Sequence, residues 1–109
     1  MPFKGFEVVG HKNFIQTYDS LPEKHEIKIR IREVRDEMLR DINKGDFIKK
    51  KPYPDRYLKL SVKNLYVHDL PNTHRLIYTI RTDEEKKTYQ YLDLLTHKEY
   101  DVLFGYSTS

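Results

Sequence analysis

Asn64-Leu65-Tyr66-Val67-His68-Asp69-Leu70-Pro71-Asn72-Thr73-His74-Arg75-Leu76-Ile77-Tyr78-Thr79-Ile80-Arg81 is the stretch that decides the fold. It reads as strand, turn, strand. Asn64 to Leu70 and His74 to Arg81 are rich in β-branched and aromatic residues, and Pro71-Asn72-Thr73 between them has turn chemistry. On the second strand Leu76, Tyr78 and Ile80 face one way, and Arg75, Ile77, Thr79 and Arg81 face the other. Downstream, Asp83-Glu84-Glu85-Lys86-Lys87 makes another turn before the strand Thr88-Tyr89-Gln90-Tyr91-Leu92-Asp93-Leu94-Leu95. A meander of three antiparallel strands is the simplest arrangement. Thr96-His97-Lys98-Glu99 then matches a capping box. Tyr100, Leu103 and Phe104 give the short helix that follows one apolar side, and Gly105 ends it.

Upstream, Phe6-Glu7-Val8-Val9 alternates between Gly5 and Gly10 as a first strand. Phe14, Ile15, Tyr18 and Leu21 fall at helical spacing and stop before Pro22. Ile27, Ile31, Val34, Met38 and Ile42, with Leu39 beside them, step by three or four and predict a helix from about Glu23 to Asn43. Ile27 to Ile31 also alternates like a strand, but the helical period outlasts that alternation. Lys24, Lys28, Arg32 and Arg35 would form the solvated side, and Gly45 a left-handed end. Pro52 and Pro54 make Lys49 to Pro54 a connection, with a helical turn at Asp55 to Leu60. The expected architecture is α+β: an N-terminal strand and two helices, the antiparallel meander, then a short C-terminal helix, with helices on one face of the sheet.

A chain of 109 residues has room for one domain, spanning 1–109. The mean hydropathy of −0.80 reflects a polar surface, while nine Tyr and five Phe remain to build a core. With no cysteine, disulfides, thiolate nucleophiles and thiolate metal sites are excluded. No carboxylate or histidine spacing indicates a metal, and no glycine-rich loop indicates a nucleotide cofactor. The N-terminus lacks a signal-like apolar core and no apolar run approaches a membrane span, so a cytoplasmic location away from membranes is expected. Net charge is +3, from 20 basic against 17 acidic residues. The bias is local: Lys49, Lys50, Lys51, Arg56, Lys59 and Lys63 stand against Asp55 alone, giving +5 in one stretch.

The motif set resembles the RelE/ParE toxin superfamily. Asn64 to Pro71 is similar to its Asn-Leu-aromatic strand, and His74 to Ile80 to its aromatic-Arg-Leu-x-Tyr strand. Leu92 to Tyr100 resembles the last strand with the His-Lys-Glu-x-Tyr start of the closing helix, and Phe104-Gly105-Tyr106 an ending seen in some members. The likeness covers Asn64 to Tyr106; the N-terminal half agrees in layout alone. It implies a fold of the kind described above and one of two activities, or a degenerate member that has lost toxicity and only binds a protein target. RelE-like members are metal-independent mRNA interferases that act on ribosome-bound mRNA and are neutralised by a cognate antitoxin. ParE-like members bind DNA gyrase and lack the RNA-cleaving site.

Cleavage by ribose 2′-OH attack needs a base, cations for the phosphorane charge and an acid for the leaving oxygen. The resemblance implies Arg75 as the phosphate ligand, His68 and His97 as proton-transfer groups, and Lys98 as the late basic residue. The family's terminal tyrosine falls at Phe104 by register, with Tyr106 able to supply a phenol two residues on. From the residues themselves, a tight turn at Pro71–Asn72 would bring His68 beside Arg75, and Tyr66 shares the His68 face, placed for packing or for stacking on a base. His97 and Lys98 open a helix whose amides favour an anion, or else serve local capping. The Lys49–Lys63 stretch, with Tyr53 and Tyr57, fits either an RNA-tracking surface or a solvated loop.

Overall fold

The meander is the centre of a larger, mixed sheet. In the computed structural model, which describes residues 3–105, the elements in chain order are β1 (Gly5–Gly10), α1 (Lys12–Ser20), α2 (Glu26–Met38), β2 (Asp46–Phe47), α3 (Asp55–Leu58), β3 (Tyr66–Leu70), β4 (His74–Thr82), β5 (Lys86–Thr96) and α4 (His97–Phe104). The sheet order is β1-β5-β4-β3-β2. β2 to β5 are antiparallel to their neighbours, whereas β1 lies parallel to β5, as Val8 opposite Tyr89 shows. The class is α+β, with five strands and four helices. Among the described residues no helix is long and apolar enough to cross a membrane.

Local chemistry sets the helix ends. His11 and His25 accept amide hydrogens from Asn13 and Ile27 through Nδ1, which makes them N-caps of α1 and α2. The capping box of α4 is present as read: Thr96 Oγ1 accepts from the Glu99 amide at 3.1 Å, and Glu99 Oε1 from the Thr96 amide at 2.8 Å. Gly105 closes that helix at φ 75°. α2 is shorter than its apolar period predicts, because the chain turns at Asp41, where φ is 58°. The Asp41 carboxylate takes Lys87 Nζ at 2.8 Å and the Tyr89 hydroxyl at 2.7 Å, a tertiary anchor invisible to periodicity. Leu39 and Ile42 are consequently exposed. Gly45 is not left-handed; it lies against the Tyr78 phenol, where a Cβ would collide.

One sheet face packs on α1 and α2. Phe14, Ile27, Ile31, Val34 and Met38 meet Leu70, Leu76, Tyr78, Tyr89, Tyr91 and Leu94 there. Lys28, expected on the solvated side, is 4% exposed. Its ammonium bonds Leu21 O and Glu23 and sits 4.6 Å over the Tyr18 ring, so the charge is buried with partners on three sides.

The opposite face is also covered, contrary to the expectation of helices on one side. Ile48, Tyr53, Tyr57, Val62 and Leu65, with Tyr100 and Phe104 of α4, pack on Ile77, Leu92 and Leu95. A register shift at Ile77/Tyr78 leaves Leu92 as an extra residue in β5, so Leu92 and Asp93 both turn to this second core. Tyr53 and Tyr57 are 5% and 1% exposed. Neither offers a ring for base stacking; both are the floor of the basic stretch.

Candidate nucleic-acid interface

Arg75 lies on the α3/α4 side of the sheet, at the end of β4 that the second core leaves open. Its Nε is 3.3 Å from Asp69 Oδ1, directly across the β3–β4 pair, and its guanidinium stands 4.4 Å over the Tyr100 ring. The side chain is 25% exposed, so one edge of the guanidinium faces solvent. Ring and carboxylate orient it, and the exposed carboxylate is an exchangeable partner.

His68 does not join it. The β3–β4 loop holds Pro71, Asn72 and Thr73, with Asn72 and Thr73 both at positive φ, so Leu70 pairs with His74 and His68 with Leu76. Thr73 adds one residue to the tight turn expected at Pro71–Asn72, and a one-residue register change sends every side chain to the other face. His68 therefore faces α2. It is 9% exposed, and its Nε2 is buried without a hydrogen-bond partner among the described residues. Burial, reinforced by the Arg30 cation, pushes its pKa down against the opposing pull of Glu37 and Asp69. Tyr66 shares that face as expected, but its ring is stacked on Tyr78 and edged by Phe47, so its use is packing.

His97 and Lys98 are both exposed at the start of α4, and the His97 amide bonds Thr73 O at 2.6 Å, tying α4 to the β3–β4 loop. His97 Nε2 lies 3.6 Å from Asp101, one turn on. The amides of Thr96, His97 and Glu99 are already bonded, so the helix end is capped by its own side chains and offers an anion far less than an open N-terminus. Any anion here must be held by side chains. Tyr106 lies outside the described residues. Phe104 is buried between Tyr57 and Tyr100.

The basic stretch divides by partner. Lys50 donates to Phe104 O at 2.7 Å and so steadies the C-terminal end of α4. Lys51 lies 5.5 Å over the Tyr53 ring. Arg56 is held at 3.3 Å by Asp93, which also accepts from the Tyr57 hydroxyl at 2.7 Å. Lys49, Lys59 and Lys63 are exposed, with Lys63 at a separate hollow that Arg81 and Asn64 also line. Arg56 and Lys98 thus line one hollow, and His97 adjoins Lys98 at the start of α4. Leu95, the register partner of Arg75, lines the same hollow.

The sequence reading allowed for a sheet carboxylate beside Arg75 without naming Asp69, and it gave Tyr100 of α4 and Asp93 of β5 no part in the site. Asp69 was findable, since a three-residue loop places it opposite Arg75. Asp93 was not, because its direction depends on the bulge. Among the described residues no group of three or more His, Cys, Asp or Glu is placed to hold a metal ion. Comparison with family models, curated proteins and solved structures finds no match to this chain.

Proposed function

We propose that this chain is a RelE/ParE-like toxin domain that binds and cleaves ribosome-associated mRNA without a metal, and that a cognate antitoxin neutralises it. The supporting observation is that Arg56 and Lys98 line one hollow whose wall residue Leu95 pairs with Arg75, with Arg75, His97 and Lys98 on the elements that carry the family-like motifs. In this reading Arg75 exchanges Asp69 for the scissile phosphate, and Lys98 adds charge to the phosphorane. His97 takes the 2′-hydroxyl proton, with Asp101 stabilising the imidazolium that results. The P–O5′ bond breaks to leave a 2′,3′-cyclic phosphate, and the departing 5′-oxygen takes its proton from water. His68 has no part in it, being on the other side of the sheet.

The test is incubation of purified protein with translating ribosomes in chelator. Message cleavage is expected, and Arg75→Ala should lower its rate by roughly 10²-fold or more while the circular dichroism spectrum is kept. Unchanged cleavage in Arg75→Ala would overturn the assignment. A second reading, a non-enzymatic member that arrests growth through a protein target, is favoured by one feature: Phe104 is locked in the core where a tyrosine of the cleaving members is expected. Growth arrest with intact message and DNA damage would select it.

A further inference from the structure

The hollow between α3 and α4 joins the basic residues of the catalytic reading to an apolar wall that the reading gives no role. It encloses about 570 Å³, within the range of roughly 300–1,000 Å³ typical of small-ligand sites. Arg56 and Lys98 supply cations, while Leu95, Val102 and Leu103 supply apolar surface. Val102 is 70% exposed, a large fraction for an aliphatic side chain on a helix. Glu99 also lines the hollow, but its carboxylate is bonded back to the Thr96 amide.

Arg56 is aimed. Asp93, 5% exposed and turned inward by the β5 bulge, holds one terminal nitrogen of the guanidinium through Oδ2, and the Tyr57 hydroxyl donates to the same oxygen. The Arg56 side chain is still 45% exposed, so its other donors remain for a ligand. Three other hollows fit a polyanion less well. One at the β4–β5 turn has Asp83, Glu84 and Glu85 against Lys4 and Lys86. In another, Arg81 is already bonded to Gln90 and to Leu60 O. A third, beside β1 and α1, encloses only about 250 Å³.

We propose that the α3–α4 hollow seats one nucleotide of single-stranded RNA, its phosphate on Arg56 and its base on Val102 and Leu103, with Lys98 between this phosphate and the next one at Arg75. This rests on the RNA-directed reading above and names a subsite for it. Leu95 connects the hollow to Arg75 across β5 and β4, so a strand seated here runs on toward the phosphate at Arg75.

The experiment measures affinity for a labelled oligouridylate about 12 nucleotides long as a function of salt. Arg56→Ala and Lys98→Ala should each reduce the slope of log K against log salt by about 0.7, the share of one phosphate contact on a single strand. Val102→Asn should weaken binding about tenfold with the slope unchanged, since it removes apolar contact and no charge. In amide spectra, adenosine monophosphate should shift Val102 and Leu103, whereas inorganic phosphate should not.

Unaltered affinity in Val102→Asn, an unaltered slope in Arg56→Ala, equal shifts from both small probes, or no binding by the unmodified protein would each overturn the subsite. Cleavage is scored separately on ribosome-bound message. If cleavage occurs and Val102→Asn binds normally, the subsite falls and the ribonuclease reading stands. If Val102→Asn loses binding but message stays intact with the unmodified protein, the subsite stands and the ribonuclease reading falls.

Discussion

A guanidinium that already holds a carboxylate is a conditional ligand for phosphate. Arg75 gives up little when it leaves Asp69, because that carboxylate side chain is 77% exposed and solvent-facing pairs contribute only about 0–1 kcal/mol. The Tyr100 ring keeps the guanidinium aimed while its partners change. His68 is the contrary case, a polar ring buried without a partner for Nε2. Its folded-state pKa lies below the ordinary 6.5, so the native protein favours the neutral ring. As pH falls below that ordinary value the unfolded chain takes the proton first, and stability declines toward the depressed folded value. Urea melts should therefore show lower stability at about pH 5 than at about pH 7 from this residue. His68→Leu removes both the titration and the orphaned nitrogen. It should raise the unfolding free energy at neutral pH by about 1 kcal/mol and flatten the decline. A loss of stability on that change would mean the ring has a partner in solution.

At the scale of elements, legibility followed pattern strength. The meander, β1, α1 and the α4 capping box were readable because alternation, helical spacing and cap chemistry each act within a few residues. β2 was not, since two residues, Asp46 and Phe47, carry no period. The end of α2 was overextended because Leu39 and Ile42 continue its spacing after the backbone has turned at Asp41. Gly45 was recognised as a special position for the wrong reason. Its service is close approach to the Tyr78 phenol, which also donates to the Asn43 side chain. Gly45→Ala should cost about 1–3 kcal/mol in a denaturant melt, as expected of overpacking. A neutral result would show that the 43–45 segment yields easily and that Tyr78 does not fix it.

Over the whole molecule, the covering of both sheet faces is what the sequence hid. Ile48, Tyr53, Tyr57 and Val62 are spaced irregularly among prolines and lysines, so the stretch looks like a charged loop until the sheet is under it. The same concealment split the candidate site: residue types were readable, but the face each occupies depended on one loop residue, Thr73, and on the Leu92 bulge. The second core predicts a large penalty for Phe104→Ala, about 3–5 kcal/mol by analogy with other buried aromatics. That is a sizeable part of the roughly 5–15 kcal/mol by which a domain is stable. Calorimetry should show a single transition at a much lower temperature. A small shift would mean that the α3/α4 layer is only loosely attached to the sheet.

The parallel pairing of β1 with β5 has a consequence for how the protein is born. Among the described strands β5 is made last, yet it separates β1 from the rest of the sheet. As the chain emerges from the ribosome, β1 and the helices behind it therefore wait, without their sheet partner, for residues 86–96 to clear the exit tunnel. Such long-separation contacts make folding slow and leave apolar surface uncovered in the interval. A chain stalled before β5 holds β3 and β4 but cannot join them to β1, so the native sheet, and with it the Arg75 end of the interface, is assembled only after β5 has emerged.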